Sequence, residues 1–472
     1  MDIKQSLYAS NNWWKKEKVS PKFLLSRKRE EFTDIIERID EKRILSIIGP
    51  RRVGKSTLIY QTINYLLEDK KIDPKRILFF SGDDPSLFFY EDDKLSDVLD
   101  VYINEILSET YDSLDSKAYI FIDEIHHIKN WQNFLKMHFD RKHDIKFIVT
   151  GSSSTRVNKD ANESLLGRIE NIYILPLVFQ QFLNFHQTYV SGEQDINIPG
   201  FDPDNPADCF KMLESVYYDD KLKAKIRKVL KKYILVGGYP EYFENTDLTL
   251  WQKRLVDDVI TRGVYKDILS VHSIKSPEIL EKILYYISAN NAQAFSYTEM
   301  AKVFSIDTTT LIAYIGYLKQ AFFINVLENY SSNMGKVIRT NKKINILDNG
   351  IQNSLLKRKE VDDATAGHIV EGMADFDARL LCEKENYNQY YFRNAAQEEV
   401  DIIIDRKLDL IPIEVKYSNT IDPADTENIR KFIEANKSGL SGVNYGIMIT
   451  KDTFKIEDNL YYIPYWMFNI SK

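Results

Sequence analysis

Gly49-Pro50-Arg51-Arg52-Val53-Gly54-Lys55-Ser56 is the stretch that decides the fold of the first third of this 472-residue chain. It matches the pattern G-x-x-x-x-G-K-[ST] in full, and it lies between an apolar run and an amphipathic stretch. Glycines let a backbone fold closely around phosphate, while the N–H groups of the loop and of the following helix point towards the anion. The stretch therefore predicts a nucleotide-binding loop between a strand and a helix.

The residue types in this loop have predicted roles in binding ATP. Lys55 is expected to reach the β- and γ-phosphates, and Ser56 is expected to ligate Mg²⁺. Arg51 and Arg52 are expected to contact either phosphate or a partner domain. The predicted nucleotide-binding residues are Gly49, Pro50, Arg51, Arg52, Val53, Gly54, Lys55, Ser56 and Thr57.

Around the loop, five short β-branched runs alternate with amphipathic stretches. Strands that alternate with helices predict a parallel sheet covered on both faces, which is an α/β fold. Ligands of such a sheet bind at the carboxyl ends of its strands. The five predicted strands are Arg43–Ile48, Ile77–Ser81, Tyr119–Ile122, Lys146–Thr150 and Ile172–Leu175.

Two carboxylates follow the third of these strands. Asp123 and Glu124 come directly after four apolar residues, so they are predicted to lie at the end of a buried strand. Asp123 would then hold Mg²⁺, and Glu124 would polarise the attacking water. The fourth strand ends in Thr150, which we expect to sense the γ-phosphate; Ser152 and Ser153 are lesser candidates. His126 and His127 follow the carboxylates, and we interpret them as packing or hydrogen-bonding residues rather than metal ligands.

Composition excludes several classes of protein. The net charge is −7 and the pI is about 5.7, so any contact with nucleic acid must come from a local basic face. Cys209 and Cys382 are the only cysteines and lack metal-ligand spacing, which is typical of a reducing compartment. No apolar run reaches the ~20 residues of a membrane span. We therefore expect a cytoplasmic protein without a membrane partner.

Downstream of the predicted sheet, the pattern changes twice. A helical region follows a polar segment rich in Gly, Pro and Asp. Tyr297–Phe304 and Thr308–Gln320 then predict two helices joined by a turn, and Phe322–Asn329 with Lys336–Ile346 predicts a two-stranded wing. This order of elements indicates a winged helix. The last part of the chain mixes one helix with several strands.

The sequence resembles a known group: prokaryotic, mainly archaeal-type, AAA ATPases of the STAND-related branch, with a winged helix and a C-terminal restriction-endonuclease-like domain. The resemblance implies ATP hydrolysis and a link to DNA, without defining a biological task. It covers nearly the whole chain, and it is carried by Asn12-Trp13-Trp14, Gly49–Ser56, Asp123-Glu124-Ile125-His126, Trp131, Thr150-Gly151-Ser152-Ser153, Leu166-Gly167-Arg168 and Gly237-Gly238-Tyr239-Pro240.

The resemblance also implies a division of the chain and a further residue of the ATP site. We expect an AAA-type ATPase domain at 1–190, a helical domain at 207–290, a winged helix at 291–350 and a PD-(D/E)xK nuclease-like domain at 360–472. In AAA-type ATPases, an arginine near the position of Arg168 reaches the γ-phosphate of a neighbouring subunit. That role would require a homo-oligomer; the alternative is a salt bridge or a solvent-exposed side chain.

Candidate residues of the nuclease-like domain lie on two predicted strands. Glu414 and Lys416 share a face because side chains alternate along a strand, and Asp401 begins the preceding strand. Asp401 and Glu414 would bind Mg²⁺ or Mn²⁺, and Lys416 would orient the attacking water and stabilise charge at phosphorus. Glu371 matches the accessory acid of such sites. The alternatives are a strand with polar outward residues and an intact fold without cleavage activity.

The predicted winged helix offers a weak DNA reader. Thr308–Gln320 carries three threonines but only one basic residue, Lys319, whereas specific readers usually bring more Arg, Asn or Gln. Lys336, Arg339, Lys342 and Lys343 on the supposed wing and the basic stretch Lys221–Lys232 are candidates for phosphate contacts. Three functions stay open: an ATP-regulated enzyme acting on DNA, a nucleotide-dependent switch that binds DNA or a protein partner, and a DNA-binding regulator.

Overall fold

The computed structural model describes residues 2–87, 95–151, 165–269, 272, 274–331, 337, 340–437 and 442–470. The chain forms two compact units. Unit 1 comprises Met1–Leu175 together with Lys266–Ser273, and unit 2 comprises Pro176–Tyr265 together with Ile274–Lys472. The segment Lys266–Ser273 thus packs with unit 1, although the residues on both of its sides belong to unit 2.

Unit 1 is built on a five-stranded sheet in the order β2-β3-β4-β1-β5, and all four pairs of neighbours are parallel. The predicted parallel sheet is therefore confirmed. Its strands are β1 Ile44–Ile48, β2 Ile77–Ser81, β3 Ala118–Asp123, β4 Ile145–Gly151 and β5 Ile169–Tyr173. The α-helices described in this unit are α1 Ile3–Ser10, α2 Trp13–Lys16, α3 Glu31–Glu37, α4 Lys55–Glu68, α5 Leu95–Asp100 and α6 Trp131–Asp140.

The central strands follow from their sequences. Every residue of β1 and β3 is buried, as expected for parallel strands covered on both faces. The predicted and observed strands agree to within one residue at most of their ends. The fifth strand differs: it runs over Ile169–Tyr173 rather than Ile172–Leu175, because it follows β1 in parallel from Ile44 onwards.

The edge strand β2 is covered by the N-terminal helices. Asn11 accepts a hydrogen bond from the N–H of Phe79 (2.7 Å) and donates one to its carbonyl (2.8 Å). Trp13 and Trp14 both donate their indole N–H to the carbonyl of Ile77, at 3.0 and 2.9 Å. These contacts occupy backbone groups that an edge strand otherwise leaves unpaired.

Unit 2 contains a nine-stranded mixed sheet in the order β13-β14-β12-β11-β10-β9-β7-β8-β6. Its strands are β6 Gln293–Phe295, β7 Ile324–Asn329, β8 Lys342–Ile346, β9 Asn388–Arg393, β10 Glu399–Asp405, β11 Leu410–Lys416, β12 Gly446–Thr450, β13 Lys455–Glu457 and β14 Leu460–Pro464. The α-helices described are α7 Phe179–His186, α8 Pro206–Tyr217, α9 Asp220–Val236, α10 Leu248–Arg254, α11 Pro277–Ala289, α12 Tyr297–Val303, α13 Thr308–Gln320, α14 Asn349–Leu355, α15 Asp363–Glu385 and α16 Pro423–Ala435.

The elements expected for a winged helix are present within unit 2. The helices α12 and α13 are followed by the antiparallel pair β7 and β8. The strand β7 also pairs with β9 in parallel over two residues, Glu328 and Asn329, which continues the sheet into the last part of the chain. The winged-helix assignment and the four-part division of the chain stay predictions.

The segment Gly237-Gly238-Tyr239-Pro240 is an internal joint of unit 2. Gly237 has a φ of 77°, and a Cβ atom there would lie 2.4 Å from a carboxylate oxygen of Asp348, so only glycine fits. The buried Asp348 accepts hydrogen bonds from the N–H groups of Gly238 (2.7 Å) and Ile351 (3.0 Å). Burial raises the pKa of Asp348 to about 6.

Among the described residues, no helix is long and apolar enough to cross a bilayer.

A buried lysine ties the chain before β1 to the sheet of unit 1. Lys146 on β4 is 1% exposed, and its ammonium donates hydrogen bonds to the carbonyls of Arg38, Glu41 and Arg43 at 2.7–2.8 Å. Burial lowers the pKa of this lysine to about 8. The buried ammonium thus ties three carbonyls of the turn before β1 to β4; the carbonyl of Arg38 also accepts the N–H of Glu41.

We predict that Lys146→Met lowers the free energy of unfolding by about 2–4 kcal/mol, because three carbonyls lose hydrogen bonds from a charged donor, and a hydrogen bond to a charged group contributes roughly 1.5–3 kcal/mol. Urea unfolding followed by circular dichroism measures this loss. Lys117→Met is the matched control, since Lys117 donates one hydrogen bond in an exposed position, to the carbonyl of Asp40. Equal, small losses in both variants would contradict the role assigned to Lys146.

Candidate functional site

The nucleotide-binding loop follows the carboxyl end of β1, and its glycines meet real constraints. A Cβ atom on Gly49 would lie 1.9 Å from the carbonyl oxygen of Ile174, so the loop can leave the strand here only with glycine. Gly54 has a φ of 97°, which is open to glycine, and it directly precedes α4. The backbone of the predicted loop thus begins and ends on the two glycines of its motif.

Lys55 lies inside the loop. It is 6% exposed, and its ammonium donates hydrogen bonds to the carbonyls of Gly49 and Pro50, both at 2.9 Å. Burial lowers the pKa of Lys55, while the nearby carboxylates of Glu124 and Asp123 act in the opposite direction. The ammonium has neutral partners within the loop, so its charge stays available to an anion.

Asp123 ends β3 and is bound by hydroxyl groups of two other elements. Ser56 on α4 donates to Oδ2 at 2.7 Å, and Thr150 at the end of β4 donates to Oδ1. Burial, followed by the charge of Glu124, raises the pKa of Asp123, whereas the two hydroxyl hydrogen bonds lower it. Three of the predicted site residues are therefore in direct contact at the carboxyl ends of the strands.

Glu124 leaves the strand with a left-handed backbone, at a φ of 48°. Its N–H donates to the hydroxyl of Thr150 at 3.0 Å, and its Oε2 lies 3.4 Å from Nε2 of His126. Burial, together with His127, lowers the pKa of His126 to about 3, so this imidazole is neutral near pH 7. Glu124, His126 and His127 hold ligand atoms within 4.8 Å of one another. The packing role of the histidines stays a prediction.

Two arginines bind the loop to other parts of unit 1, through partners that no sequence pattern indicated. Arg29 donates to the carbonyls of Val53 (2.9 Å) and Leu175 (2.6 Å). Arg51 makes a bidentate pair with Asp267, at 2.8 and 2.6 Å. Asp267 is 6% exposed and lies in the Lys266–Ser273 segment of unit 1. No local pattern near residue 267 indicates this contact, which spans 216 positions of sequence.

Arg168 is not part of this constellation. It precedes β5, and its carbonyl accepts a hydrogen bond from the N–H of Ile44, so it lies at the amino end of the strands. At ~3.3 Å per residue, the five residues of β1 put it roughly 17 Å from the loop. Its guanidinium pairs with Asp140 at 2.7 and 3.2 Å. Any contact with phosphate would therefore be made in a second chain. Ser152 and Ser153 lie outside the described residues.

In unit 2, three of the predicted C-terminal residues do come together. Asp401 on β10 and Glu414 on β11 occupy neighbouring strands, and Oδ2 of Asp401 accepts a hydrogen bond from the N–H of Val415 at 2.9 Å. Glu371, on α15, interacts with Asp401. Burial, followed by the charge of Asp401, raises the pKa values of Glu371 and Glu414 well above their usual range. The predicted carboxylates thus form one buried cluster.

The lysine of this cluster differs from the predicted one. Lys416 turns to Asp425, at 2.7 Å, and its side chain is 46% exposed. The cluster instead holds Lys343 of β8, whose ammonium contacts Glu371, Glu399 (3.1 Å) and Asp401 (2.9 Å). The expectation that Lys416 completes the cluster is not met, since its ammonium is held by a different carboxylate.

The predicted phosphate contacts on the wing are also corrected. Lys343 is 1% exposed and Lys342 is 7% exposed, so neither presents its charge on a surface. Lys336 and Arg339 lie outside the described residues. No sequence signal marked Lys343 in advance: β8 reads Lys-Lys-Ile-Asn-Ile, and only its complete burial in the fold requires its lysines to find buried partners, because an unpaired buried charge is very costly.

Three family models match successive parts of the chain. Residues 41–183 match the family model described as an AAA domain, residues 227–362 match a domain of unknown function (DUF8612), and residues 366–468 match another (DUF4143). The chain is similar to the uncharacterized protein MJ1637 of Methanocaldococcus jannaschii, with 27% identity over 97% of this chain and 92% of that protein. It is also similar to MJ1544 of the same organism, with 25% identity over 93% and 90%.

Solved structures to which the chain shows similarity include the ORC1 protein of Aeropyrum pernix in complex with DNA, with 11% identity, a TM-score of 0.30 and coverage of 74% of this chain and 93% of that chain. Another is PCH-2 of C. elegans, with 12% identity, a TM-score of 0.27 and coverage of 68% and 67%. The AAA-domain match and the parallel sheet confirm the α/β fold class. This P-loop sheet is followed by helical and mixed-sheet regions.

We predict that Glu124→Gln keeps ATP binding but lowers ATP turnover at least 100-fold, because the amide cannot accept a proton from the attacking water. Release of phosphate under saturating ATP measures turnover, and a fluorescent ATP analogue measures binding. Glu170→Gln is the control, since Glu170 lies on β5, away from the loop, and pairs with Arg38. Normal turnover by the Glu124 variant would refute the role assigned to this carboxylate.

Proposed function

We propose that this chain, which carries an AAA-type P-loop ATPase domain, is a Mg²⁺-dependent ATPase whose nucleotide state switches an output of unit 2 directed at DNA or at a protein partner. Lys55 would bind the β- and γ-phosphates, and Ser56 with Asp123 would hold Mg²⁺. The bound ion would neutralise phosphate charge. Glu124 would orient and deprotonate the water, while Thr150 would hold Asp123 and the backbone of Glu124 in place.

The residues present fit a magnesium–nucleotide complex. Magnesium is a hard cation that takes oxygen ligands, and Ser56 and Asp123 offer a hydroxyl and a carboxylate 2.7 Å apart. The ammonium of Lys55 already points into the loop, where it is bonded to carbonyls alone. A phosphate oxygen would be a stronger partner than these carbonyls, because the donor and the acceptor would then both be ionised.

The bidentate contact between Arg51 and Asp267 carries the proposal that the ATPase is a switch. Arg51 belongs to the nucleotide-binding loop, so phosphate and Asp267 would compete for one guanidinium. The segment around Asp267 continues at both ends into unit 2. A change in this pair on binding or hydrolysis of ATP would therefore act on chain that belongs to the output unit.

The output is proposed from the winged-helix order of α12, α13, β7 and β8. A DNA-binding role for α13 is supported by its position in that order, while its core side chains, Leu311, Tyr314 and Leu318, pack inside the unit. In the basic helix α9, Lys223 and Arg227 contact Asp452, so this helix offers less positive charge than its sequence indicates. A protein partner is the alternative, and Arg168 supports a homo-oligomer in which it acts on a second chain.

Cleavage of nucleic acid by unit 2 is a second candidate function, favoured by the convergence of Glu371, Asp401 and Glu414. In PD-(D/E)xK sites such a cluster holds Mg²⁺ or Mn²⁺. Here the cluster is bound to the ammonium of Lys343, and Lys416 is turned to Asp425. Cleavage would require another arrangement of these side chains, so the switch is the function that the geometry supports best.

The switch is tested by DNA affinity. In the Glu124→Gln variant, which should hold ATP without turnover, we expect duplex DNA to bind at least fivefold differently with ATP than with ADP, measured by fluorescence anisotropy at one fixed salt concentration. The same comparison with proteins captured under each nucleotide tests the partner alternative. Equal DNA affinity and equal protein capture in both states would remove the switch.

We predict that Asp267→Asn keeps ATP binding but brings the ratio of the two DNA affinities close to one, because Arg51 loses its charged partner. Glu109→Gln is a matched control: Glu109 makes an equally short bidentate pair with Arg76, at 2.6 and 2.7 Å, outside the loop. An unchanged ratio in the Asp267 variant would contradict the coupling assigned to this pair.

The cleavage alternative is tested separately. Supercoiled DNA, linear DNA and RNA are incubated with the protein and Mg²⁺ or Mn²⁺, with and without ATP. Cleavage that is lost in Asp401→Asn but not in Glu434→Gln would support it, because Glu434 is an exposed residue of α16 that pairs with Lys437. Intact substrates under all conditions would exclude these reactions.

A further inference from the structure

We propose that Lys343 is the resident cation of the C-terminal carboxylate cluster, and that its ammonium and a divalent metal ion exclude each other from that cluster. The cluster consists of Glu371, Glu399, Asp401 and Glu414. This inference deepens the cleavage alternative of the proposed function, whose metal site it concerns. It does not depend on the ATP site of unit 1.

The position of the ammonium is the first argument. Its nitrogen contacts oxygens of Glu371, Glu399 and Asp401, the latter two at 3.1 and 2.9 Å. These oxygens come from α15 and β10, two separate elements. A metal ion bound by the same oxygens would lie 2.0–2.6 Å from each of them, in the same small volume. One position cannot hold both cations.

Burial is the second argument. Lys343 is 1% exposed, so its charge is neutralised almost entirely by the cluster. A buried charge whose partner is lost is strongly destabilising, which means that a metal ion cannot simply displace this ammonium to another buried position. The lysine would have to leave together with part of its strand, β8.

An unused oxygen is the third argument. Oε2 of Glu414 is buried and makes no hydrogen bond within the described part of the chain, although it belongs to the cluster. One ammonium carries one charge: that of Lys343 donates hydrogen bonds to Glu399 and Asp401 and makes an ion-pair contact with Glu371. The cluster therefore has more ligand oxygens than Lys343 can use, as a site suited to a divalent cation would.

Lys343 and the four carboxylates come from different predicted parts of the chain, so a movement between these parts would decide which cation the cluster holds. The four carboxylates belong to the predicted nuclease-like part of the chain, whereas Lys343 belongs to the predicted wing. Beyond β7, the sheet continues to β9 over two paired residues, and this junction also holds hydrogen bonds between the side chain of Asn329 and the backbone of Arg393. A movement of β7 and β8 away from β9 would withdraw the ammonium and uncover the carboxylates together.

The test is Mn²⁺ binding by the full chain without nucleotide. Binding is measured by isothermal titration calorimetry and by the electron paramagnetic resonance signal of free Mn²⁺. We expect no Asp401-dependent binding by the wild type. Lys343→Met should bind one Mn²⁺ with an affinity at least tenfold above the detection limit that applies to the wild type. The double variant Lys343→Met/Asp401→Asn should no longer bind this ion. Lys343→Arg keeps the charge and should behave as the wild type. Lys342→Met is the control, because the neighbouring lysine contacts Glu328 instead.

Thermal unfolding gives a second readout. Lys343→Met should have a lower Tm than the wild type, and Mn²⁺ should raise the Tm of this variant but not that of the wild type or of the double variant. If Lys343→Met does not fold, Mn²⁺ binding is measured with Lys343→Gln instead. Mn²⁺ binding by the wild type is then compared with binding by Asp401→Asn, and a difference between these two would contradict the proposal. Equal Asp401-dependent Mn²⁺ binding by wild type and variant, or no gain in a folded variant, would overturn the proposal. ATP turnover and the ATP-to-ADP ratio of DNA affinities test the switch independently.

Discussion

The contact of Asp123 with two hydroxyl groups is the interaction on which the nucleotide site depends. The residues involved come from the end of β3, the end of β4 and the first turn of α4. They meet because parallel strands bring their carboxyl ends to one edge of a sheet. The tight exit of β1 at Gly49 then places the loop over this edge. The chemistry of the site is thus a consequence of strand direction and of one close backbone approach.

Two lysines show how differently a buried ammonium can be used. Lys55 is bonded to uncharged carbonyls, so its charge is kept for an incoming anion. Lys343 is surrounded by carboxylates, so its charge is already neutralised inside the unit. The first arrangement is suited to binding a ligand and the second to holding segments of the chain together. The same residue type thus indicates opposite functions, and only its partners distinguish them.

Local patterns predicted much of unit 1 and less of unit 2. The loop, Asp123, Glu124 and Thr150 could be placed because each lies at the end of an apolar strand, and strand burial is readable over five or six residues. The partner of Arg51 could not be placed, because it lies 216 positions away and nothing in its own surroundings marks it. In unit 2, strand alternation placed Glu414, and the resemblance added Glu371, whereas Glu399 was not predicted. The lysine of this cluster was not predicted either, because its strand reaches the carboxylates through folding of distant segments.

The covering of β2 by Asn11, Trp13 and Trp14 has a consequence for how copies of this chain can associate. With Phe79 and Ile77 already bonded, that side of the sheet offers no backbone groups at these positions to a strand of another molecule. Growth of the sheet between molecules is directed away from this side. The N-terminal helices thereby act as a built-in safeguard against aggregation through strand pairing.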